Sequence, residues 1–255
     1  MSFWIPQQIE TNRFRLAASP EGCVGIPGRY AMMGGVTSGA MVTAMEMTSG
    51  KRLIWSSTQF VSYAPAQTDF YFEIKLLAQG RRITQAQGSM FDGERLVLVT
   101  SAALGEMDHT GEHDQPVTQD DKPEVMVLPE QCTRKEDVGV SGGLMDQFER
   151  RVAQHSDADG FESLWFRLKS PAPTSTGLLA VLGDFLPGAV SYTRGSSSVD
   201  NTLRVNCLED STWLLAESRI RAVRGRLFQG SMNIFSEKGR LLAHASQSGI
   251  RPKSE

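Results

Sequence analysis

The stretch GLLAVLGDFLPGAV, residues 177–190, is apolar apart from a single acid, Asp184. Its large apolar residues recur at helical spacing, and hydroxyl side chains at 174–176 can cap the first turn, so the pattern predicts a helix over 175–188. Asp184 falls on a different stripe of this helix, together with small residues that let another element approach: Gly177, Ala180 and Gly188. The acid is therefore expected at a close contact between elements.

Four runs with strand-like composition follow this helix, and the same order occurs earlier in the chain. The segment GGVTSGAMVTAMEMTSG, residues 34–50, has helical spacing with glycine at both ends, and four strand-like runs follow it. TSGAMVTAMEM (37–47) can be laid over TSTGLLAVLGDF (174–185), and QGSM occurs at both 87–90 and 229–232. An internal duplication explains these matches and predicts an α+β fold in which each half is an antiparallel sheet with a helix packed on it.

Residues 106–137 separate the halves and combine acids with three prolines, a composition typical of linkers. The predicted divisions are therefore an N-terminal domain over 1–105, an acidic linker over 106–137 and a C-terminal domain over 138–255. Within the linker, DHTGEHD places His109 and His113 four residues apart, a spacing that holds a metal on a helix. Its glycine and polar surroundings favour a solvated linker, so no metal is expected.

Composition excludes several classes of protein. The chain has 255 residues, 40% of them hydrophobic and 22% charged, as is usual for a globular protein. A net charge of -3 gives no overall field to attract nucleic acid. No run of 18 apolar residues occurs and the first residues do not resemble a signal peptide, so a cytoplasmic protein without membrane association is expected. Three scattered cysteines without CxxC spacing argue against disulfides and structural zinc.

Asp184 permits two interpretations. Near the end of a helix, the carboxylate can be partly solvated and cap a loop. Alternatively, apolar surroundings raise its pKa and make it a base that works near neutral pH. The local pattern leaves both open.

Three segments resemble acyl-CoA thioesterase II proteins, which carry two hotdog domains in tandem. They are GDFLPGAV (183–190), SSVDNTLRVN (197–206) and the ending WLLAESRIRAVRGRLFQGSMNIFSEKGRLLAHASQSGIR (213–251). The resemblance implies a double hotdog, with two antiparallel curved sheets each wrapped around a central helix. It also implies an acyl-CoA substrate, no cofactor, a role in fatty acid metabolism, and a homodimer or higher homo-oligomer. By this resemblance, Asp184, Ser198 and Gln247 hold and activate the water that cleaves the thioester.

The chemistry is compatible with these three residue types. A carboxylate can take a proton from attacking water, while a hydroxyl and an amide can orient that water through donors and acceptors. Direct attack by Asp184 to give an anhydride is an alternative. The sequence departs from the family pattern, since Asn201 stands where His is usual and Ser198 where Thr is usual.

The sequence also permits alternatives to hydrolysis at Asp184. Aligning the two halves places Glu46 opposite Asp184 and Ala102 opposite Gln247, so the first half lacks the amide, and a second site that uses Glu46 is an alternative. A non-catalytic acyl-CoA binding protein is the main competing function. A hydratase would need an Asp and His pair, with His244 as its candidate. Four arginines near the end of the chain could contact the phosphates of coenzyme A: Arg219, Arg221, Arg224 and Arg226.

Overall fold

The computed structural model describes residues 2–26, 29–106, 122–136, 139 and 141–253. In chain order, the strands and α-helices are β1 (Gln7–Glu10), β2 (Arg13–Leu16), β3 (Cys23–Ile26), β4 (Arg29–Met32), α1 (Gly34–Ser49), β5 (Arg52–Phe60), β6 (Phe70–Gln79), β7 (Ile83–Asp92), β8 (Arg95–Gly105), β9 (Thr133–Arg134), β10 (Phe148–Ser156), β11 (Phe161–Leu168), α2 (Thr176–Gly183), β12 (Ser197–Val205), β13 (Leu214–Arg224), β14 (Leu227–Ser236) and β15 (Leu241–Ile250). The eight strands expected after the two helices are all present.

Among the described residues, 13 strands form one antiparallel sheet in the order β1-β2-β6-β7-β8-β5-β12-β15-β14-β13-β11-β10-β9, and β3 pairs with β4 separately. The prediction of an antiparallel sheet with few helices is confirmed. The two halves are not separate sheets, however, because β5 and β12 pair from Asp200 opposite Gln59 to Arg204 opposite Trp55. This pairing satisfies backbone groups that each half alone would leave without a partner.

Both predicted helices are present, but the second is shorter than expected. Ser175 caps α2, where its Oγ accepts a hydrogen bond from the backbone N–H of Leu178 at 3.2 Å. The helix ends at Gly183, and a short 3-10 turn follows over Leu186–Gly188. Pro187 accounts for the difference, because proline lacks a backbone N–H and its ring clashes with the preceding helical turn.

The two helices pack against each other at the centre of the molecule. All eight residues of α2 are buried, as expected for a helix that is apolar on every side. The helices run antiparallel, and a Cβ on Gly39 of α1 would lie 2.7 Å from the carbonyl oxygen of Gly177 in α2. Small residues at this crossing let the two backbones touch, which brings the end of α2 to the beginning of α1.

The described part of the predicted linker, residues 122–136, lies along the second half. Glu217 of β13 accepts hydrogen bonds at 3.0 Å from the backbone N–H groups of Glu124 and Val125. Trp165 of β11 donates from Nε1 to the carbonyl oxygen of Val127 at 2.8 Å. The candidate metal motif at 108–114 lies outside the described residues, and the proposed domain boundaries remain a prediction.

The two QGSM segments occupy different positions in the two halves. Ala86 pairs with Ala102, whereas Gly230 pairs with Gln247. Because Ala102 and Gln247 correspond in the sequence alignment of the halves, Gly230 matches Ala86 rather than Gly88. The copies are thus displaced by two residues along the strand, which leaves their side chains on the same faces of the sheet.

Candidate active site

Asp184 lies directly after the last residue of α2 and is only 4% exposed. Asn201 of β12 donates from Nδ2 to the carbonyl oxygen of Gly183 at 3.1 Å, which ties the end of the helix to the sheet. The carboxylate is therefore at the end of a helix and also inside the protein. Because Asp184 is buried, the interpretation of its carboxylate as partly solvated is wrong.

Ser198 and Gln247 meet the carboxylate of Asp184. Ser198 donates from Oγ to Asp184 Oδ1 at 2.8 Å, and Gln247 donates from Nε2 to the same oxygen. The amide of Gln247 also donates to Ser198 Oγ at 2.7 Å. All three residues named from the sequence thus form one hydrogen-bonded cluster, with side chains supplied by the end of α2, by β12 and by β15.

A β-bulge explains how Ser198 reaches this cluster. The register of β12 against β15 shifts between Ser198 and Asp200, which leaves Val199 as the extra residue. Ser198 and Asn201 are three residues apart, so regular alternation would place them on opposite faces of the sheet. The extra residue turns both side chains toward α2, which is a common use of bulges near functional sites.

The first half completes the surroundings of Asp184. The backbone N–H of Gly35, in the first turn of α1, donates to Asp184 Oδ2 at 2.6 Å. A Cβ on Gly35 would lie 2.6 Å from the carbonyl oxygen of Val181 and 2.8 Å from Asp184 Cβ. Only glycine permits this approach, and the N-terminus of a helix is a favourable place for a carboxylate.

Burial dominates the ionisation of Asp184. Desolvation raises the pKa of this carboxyl from 3.8 to about 6, although the hydrogen bonds from Ser198, Gln247 and Gly35 lower it. The interpretation of Asp184 as a carboxylate with a raised pKa therefore agrees with its surroundings. A carboxylate with this pKa is ionised at neutral pH and is basic enough to accept a proton.

One acceptor and one aromatic ring complete the cluster. Gln247 Oε1 is buried and has no hydrogen-bond partner among the described residues. A Cβ on Gly34 would lie 2.8 Å from the ring of Phe60 and 2.9 Å from Asp184 Oδ2, so the ring and this carboxylate oxygen both border Gly34. Sequence reasoning missed Gly35, Asn201 and Phe60. The paired glycines at 34–35 were the available signal of a close backbone approach.

Glu46 of α1 occupies the place in the first half that Asp184 occupies in the second. Its Oε1 accepts hydrogen bonds from Thr176 Oγ1 at 2.8 Å and from the backbone N–H of Leu53 at 2.7 Å. Its Oε2 pairs with Arg52 at 3.3 Å. The carboxylate of Glu46 therefore links the end of α1 to the start of α2.

The first half lacks the other two members of the cluster. Leu53 precedes a bulge in β5 and pairs with Leu104, just as Ser198 precedes the bulge in β12 and pairs with Gly249. The position that matches Ser198 is thus an apolar residue. Ala102 takes the place of the amide, so the first half has no counterpart of the Ser198 hydroxyl or the Gln247 amide, and the hydroxyl that contacts Glu46 is that of Thr176 in α2.

The structure separates the four arginines that could contact phosphates. Arg219 pairs with Glu124 at 2.7 Å and lies over the ring of Phe161 at 4.6 Å. Arg221 donates from Nε to Ser231 Oγ at 3.3 Å. The other two, Arg224 and Arg226, flank Gly225 at the tip of the hairpin formed by β13 and β14.

His244 does not face Asp184. Its Nδ1 lies 2.7 Å from Asn233 Oδ1, and it stands three residues before Gln247 on the same strand. Alternation along β15 therefore points the His244 ring to the opposite face of the sheet from the Gln247 amide. The Asp and His pair that a hydratase requires is not formed by His244.

A cavity of about 730 Å³ lies beside another face of α2, where Leu178 and Leu182 form part of its lining. Phe148, Phe166 and Leu214 add apolar surface from the sheet. None of the three clustered side chains lines this cavity, so it is separate from the carboxylate of Asp184.

Two further observations concern the part of the chain that the structure describes. No three or more His, Cys, Asp or Glu side chains are grouped there in a way that could hold a metal ion. Within the same residues, no helix has the length and apolar character required to cross a bilayer.

Comparison with protein families matches both halves. Residues 26–105 match the acyl-CoA thioesterase N-terminal domain, and residues 126–251 match the acyl-CoA thioesterase C-terminal domain. No curated protein gives a significant match.

Solved structures have the same fold over nearly the whole chain. A candidate thioesterase from Novosphingobium aromaticivorans is 26% identical with a TM-score of 0.89, and the match covers 99% of this chain and 100% of that one. A candidate thioesterase II from Thermobifida fusca is 18% identical with a TM-score of 0.83, covering 98% and 96% of the two chains. A protein of unknown function with a hotdog fold from Alicyclobacillus acidocaldarius is 18% identical with a TM-score of 0.80, covering 99% and 97%. The last two likenesses concern the fold alone.

Proposed function

This chain belongs to the acyl-CoA thioesterase family, and from that premise we propose that it cleaves an acyl-CoA with a water molecule activated by Asp184. The resemblance inferred from the sequence is confirmed, and the protein is a thioester hydrolase. Support for the mechanism comes from the convergence of one carboxylate, one hydroxyl and one amide: those of Asp184, Ser198 and Gln247.

The hydrogen bonds assign different tasks to the two oxygens of Asp184. Oδ1 accepts hydrogen bonds from both Ser198 and Gln247, whereas Oδ2 accepts one from Gly35. Each carboxylate oxygen can accept two hydrogen bonds, so Oδ2 retains room for the proton of a water molecule. Gln247 Oε1, which is buried without a partner among the described residues, is an acceptor for the second hydrogen of that water.

The reaction then follows in two steps. Asp184 takes a proton from water as the water oxygen attacks the thioester carbonyl carbon, which forms a tetrahedral intermediate. The intermediate collapses as the carbon–sulfur bond breaks, and the protonated carboxyl of Asp184 returns its proton to the leaving thiolate. The products are a free carboxylic acid and coenzyme A. This sequence uses no metal ion and no prosthetic group.

The finer architecture and cellular setting are part of the same proposal. The continuous sheet is interpreted as a tandem double hotdog, with domains at 1–105 and 138–255 joined by the segment 106–137. A homodimer or higher homo-oligomer and a role in fatty acid metabolism follow from the family resemblance, and a cytoplasmic location is the expectation from the sequence pattern. The chain is not expected to bind nucleic acid or membranes.

Thiol release from acyl-CoAs of graded chain length is the direct test of this proposal. We expect turnover with at least one chain length in buffer that contains a metal chelator. Absence of turnover on every chain length would favour the competing function, a protein that binds acyl-CoA without hydrolysing it.

The pH dependence of turnover is expected to follow Asp184. Because the carboxyl must be ionised to accept a proton and its pKa is about 6, kcat/KM should rise about tenfold per pH unit below that value and level off above it. Ser198→Ala removes a hydrogen bond that lowers this pKa, so the rise should move to higher pH. A profile that is flat through the acidic range would contradict the assignment of the base.

The contribution of Asp184 to the free energy of unfolding is expected to fall as the pH rises, whereas kcat/KM rises. Its pKa is higher in the folded chain than the ordinary 3.8, so the folded protein binds this proton more tightly than the unfolded chain. The contribution is fully present below about 3.8 and is lost as the pH rises through about 6. The carboxylate is therefore retained at neutral pH at some cost in stability.

Glu46→Gln should leave turnover unchanged, because the glutamine Oε1 can still accept the hydrogen bonds from Thr176 and Leu53. The substitution removes only the ion pair with Arg52, whose side chain is 61% exposed, and exposed pairs contribute little. Steady-state kcat and KM of the variant are the measurement. A large fall in kcat would indicate that Glu46 supports a second site.

A further inference from the structure

Three arginines come together where β13 turns into β14. Arg224 and Arg226 flank Gly225, whose φ of +56° suits the tight turn. Arg251 follows β15 and lies against this turn, because its N–H donates to the carbonyl oxygen of Arg226 at 2.8 Å and Arg226 Nε donates to the carbonyl oxygen of Arg251 at 2.9 Å. We call Arg224, Arg226 and Arg251 the arginine tip. These two hydrogen bonds join Arg226 to Arg251, and Arg224 stands on the same hairpin.

The arginine tip carries positive charge without a carboxylate partner. None of its three members forms an ion pair among the described residues, whereas Arg219 on the same strand pairs with Glu124 at 2.7 Å. Arg224 and Arg226 are exposed and Arg251 is half-buried. The guanidinium groups therefore have hydrogen-bond donors available for a ligand of opposite charge, in a chain whose net charge is -3.

Strand register connects the arginine tip to the catalytic cluster. Ser197, beside Ser198, pairs with Ile250, Ile250 pairs with Leu227, and Leu227 pairs with Arg224. These residues form one row across four neighbouring strands, so Arg224 is three strand spacings, on the order of 15 Å, from the start of β12. The tip lies at the same end of the sheet as Ser198, but alternation turns the Arg224 side chain to the face opposite that of Ser198, so a ligand that contacts both passes around the end of the sheet.

We propose that the arginine tip binds the phosphate groups of coenzyme A while the thioester lies at Asp184, an inference that rests on the proposed function. Coenzyme A carries a diphosphate and a ribose phosphate, and its long pantetheine arm separates these groups from the sulfur. A phosphate site must therefore lie at a distance from the reacting carboxylate but at the same end of the molecule. Guanidinium groups bind phosphate oxygens through paired, charge-assisted hydrogen bonds.

The test compares two thioesters with the same acyl chain, one on coenzyme A and one on pantetheine, which lacks the phosphates beyond the arm. For the double variant Arg224→Gln, Arg226→Gln, we expect KM for the acyl-CoA to rise about tenfold to a hundredfold, from the loss of charge-assisted hydrogen bonds. The kcat/KM for the acyl-pantetheine should be unchanged. Arg204→Gln is the matched control, because it removes an exposed arginine near the other end of β12.

The outcomes separate a failure of this inference from a failure of the proposed function. An equal loss on both thioesters would mean that the arginines only support the fold, and unchanged KM values for both would mean that coenzyme A does not use them; either result overturns the inference. If the native protein hydrolyses neither thioester, the proposed function fails. Calorimetric titration with coenzyme A then decides the inference, since binding weakened by the double variant supports it and equal or absent binding overturns it.

Discussion

Asp184→Asn is expected to lower kcat by about 10²- to 10⁴-fold, the usual contribution of a positioned general base. An amide has nearly the same shape as the carboxylate but cannot accept the proton of the attacking water. Among the variants considered, this one should have the largest effect on the rate. Thiol release from the best acyl-CoA substrate, followed at a pH above 6 where the native carboxyl is ionised, measures it.

The fold of this variant must be measured together with its activity. Both carboxylate oxygens of Asp184 accept hydrogen bonds, and the NH₂ group of asparagine would face a donor instead of receiving one. The misplaced donor costs about 1–3 kcal/mol in the free energy of unfolding, and removal of the desolvated charge offsets part of that cost at neutral pH. If the Asp184→Asn protein is folded and still binds coenzyme A, its loss of turnover is due to the missing base. Glu46→Gln is the matched control, because it also changes a carboxylate to an amide. Native-like kcat in Asp184→Asn would rule out Asp184 as the base.

Gly35→Ala is expected to lower both stability and turnover. The added Cβ would lie 2.6 Å from the carbonyl oxygen of Val181 and 2.8 Å from Asp184 Cβ, and both atoms belong to a buried helix end that cannot move freely. Overpacking of this kind costs about 1–3 kcal/mol. Displacing Asp184 from its hydrogen bonds should also lower kcat by up to about 100-fold.

Gly188→Ala is the control for Gly35→Ala, because a Cβ at Gly188 meets no atom within 4 Å. The pH profile distinguishes positioning from general destabilisation, since a weaker Gly35 hydrogen bond raises the pKa of Asp184 and moves the rise in kcat/KM to higher pH. A Gly35→Ala protein with a lower Tm but native kcat and native pH profile would show that Gly35 only packs the helices.

The local sequence pattern predicted strands correctly where one face of the strand is more apolar than the other. Strands β5 to β8 and β12 to β15 lie close to the runs expected from alternation and turn residues. Strand β11 was missed because its first six residues are all buried, so its two faces do not differ in polarity. One contributor to that burial is the segment after residue 121, through the contact of Trp165 with Val127. A local pattern cannot show which distant segment covers a strand.

The three clustered residues of the candidate site were predictable from the sequence, but the backbone contacts and the bulge that position them were not. Asp184, Ser198 and Gln247 were named from the family resemblance, and the structure brings them together. The hydrogen bond from Gly35 joins residues 149 positions apart in the chain and depends on the helix crossing. The bulge at Val199 likewise depends on the pairing of β12 with β15. Both are consequences of tertiary structure, which short windows of sequence do not contain.

The order of strands also bears on the addition of a strand from another chain. Because β5 pairs with β12, the only edges of the described 13-stranded sheet are β1 and β9, which are four and two residues long. These short strands cover only part of their neighbours, because β9 pairs with just Arg151 and Val152 of β10, and β2 pairs with just residues 70–73 of β6. Addition of a strand from another chain is therefore expected to use the uncovered parts of β6 and β10, where backbone groups of the described sheet have no strand partner.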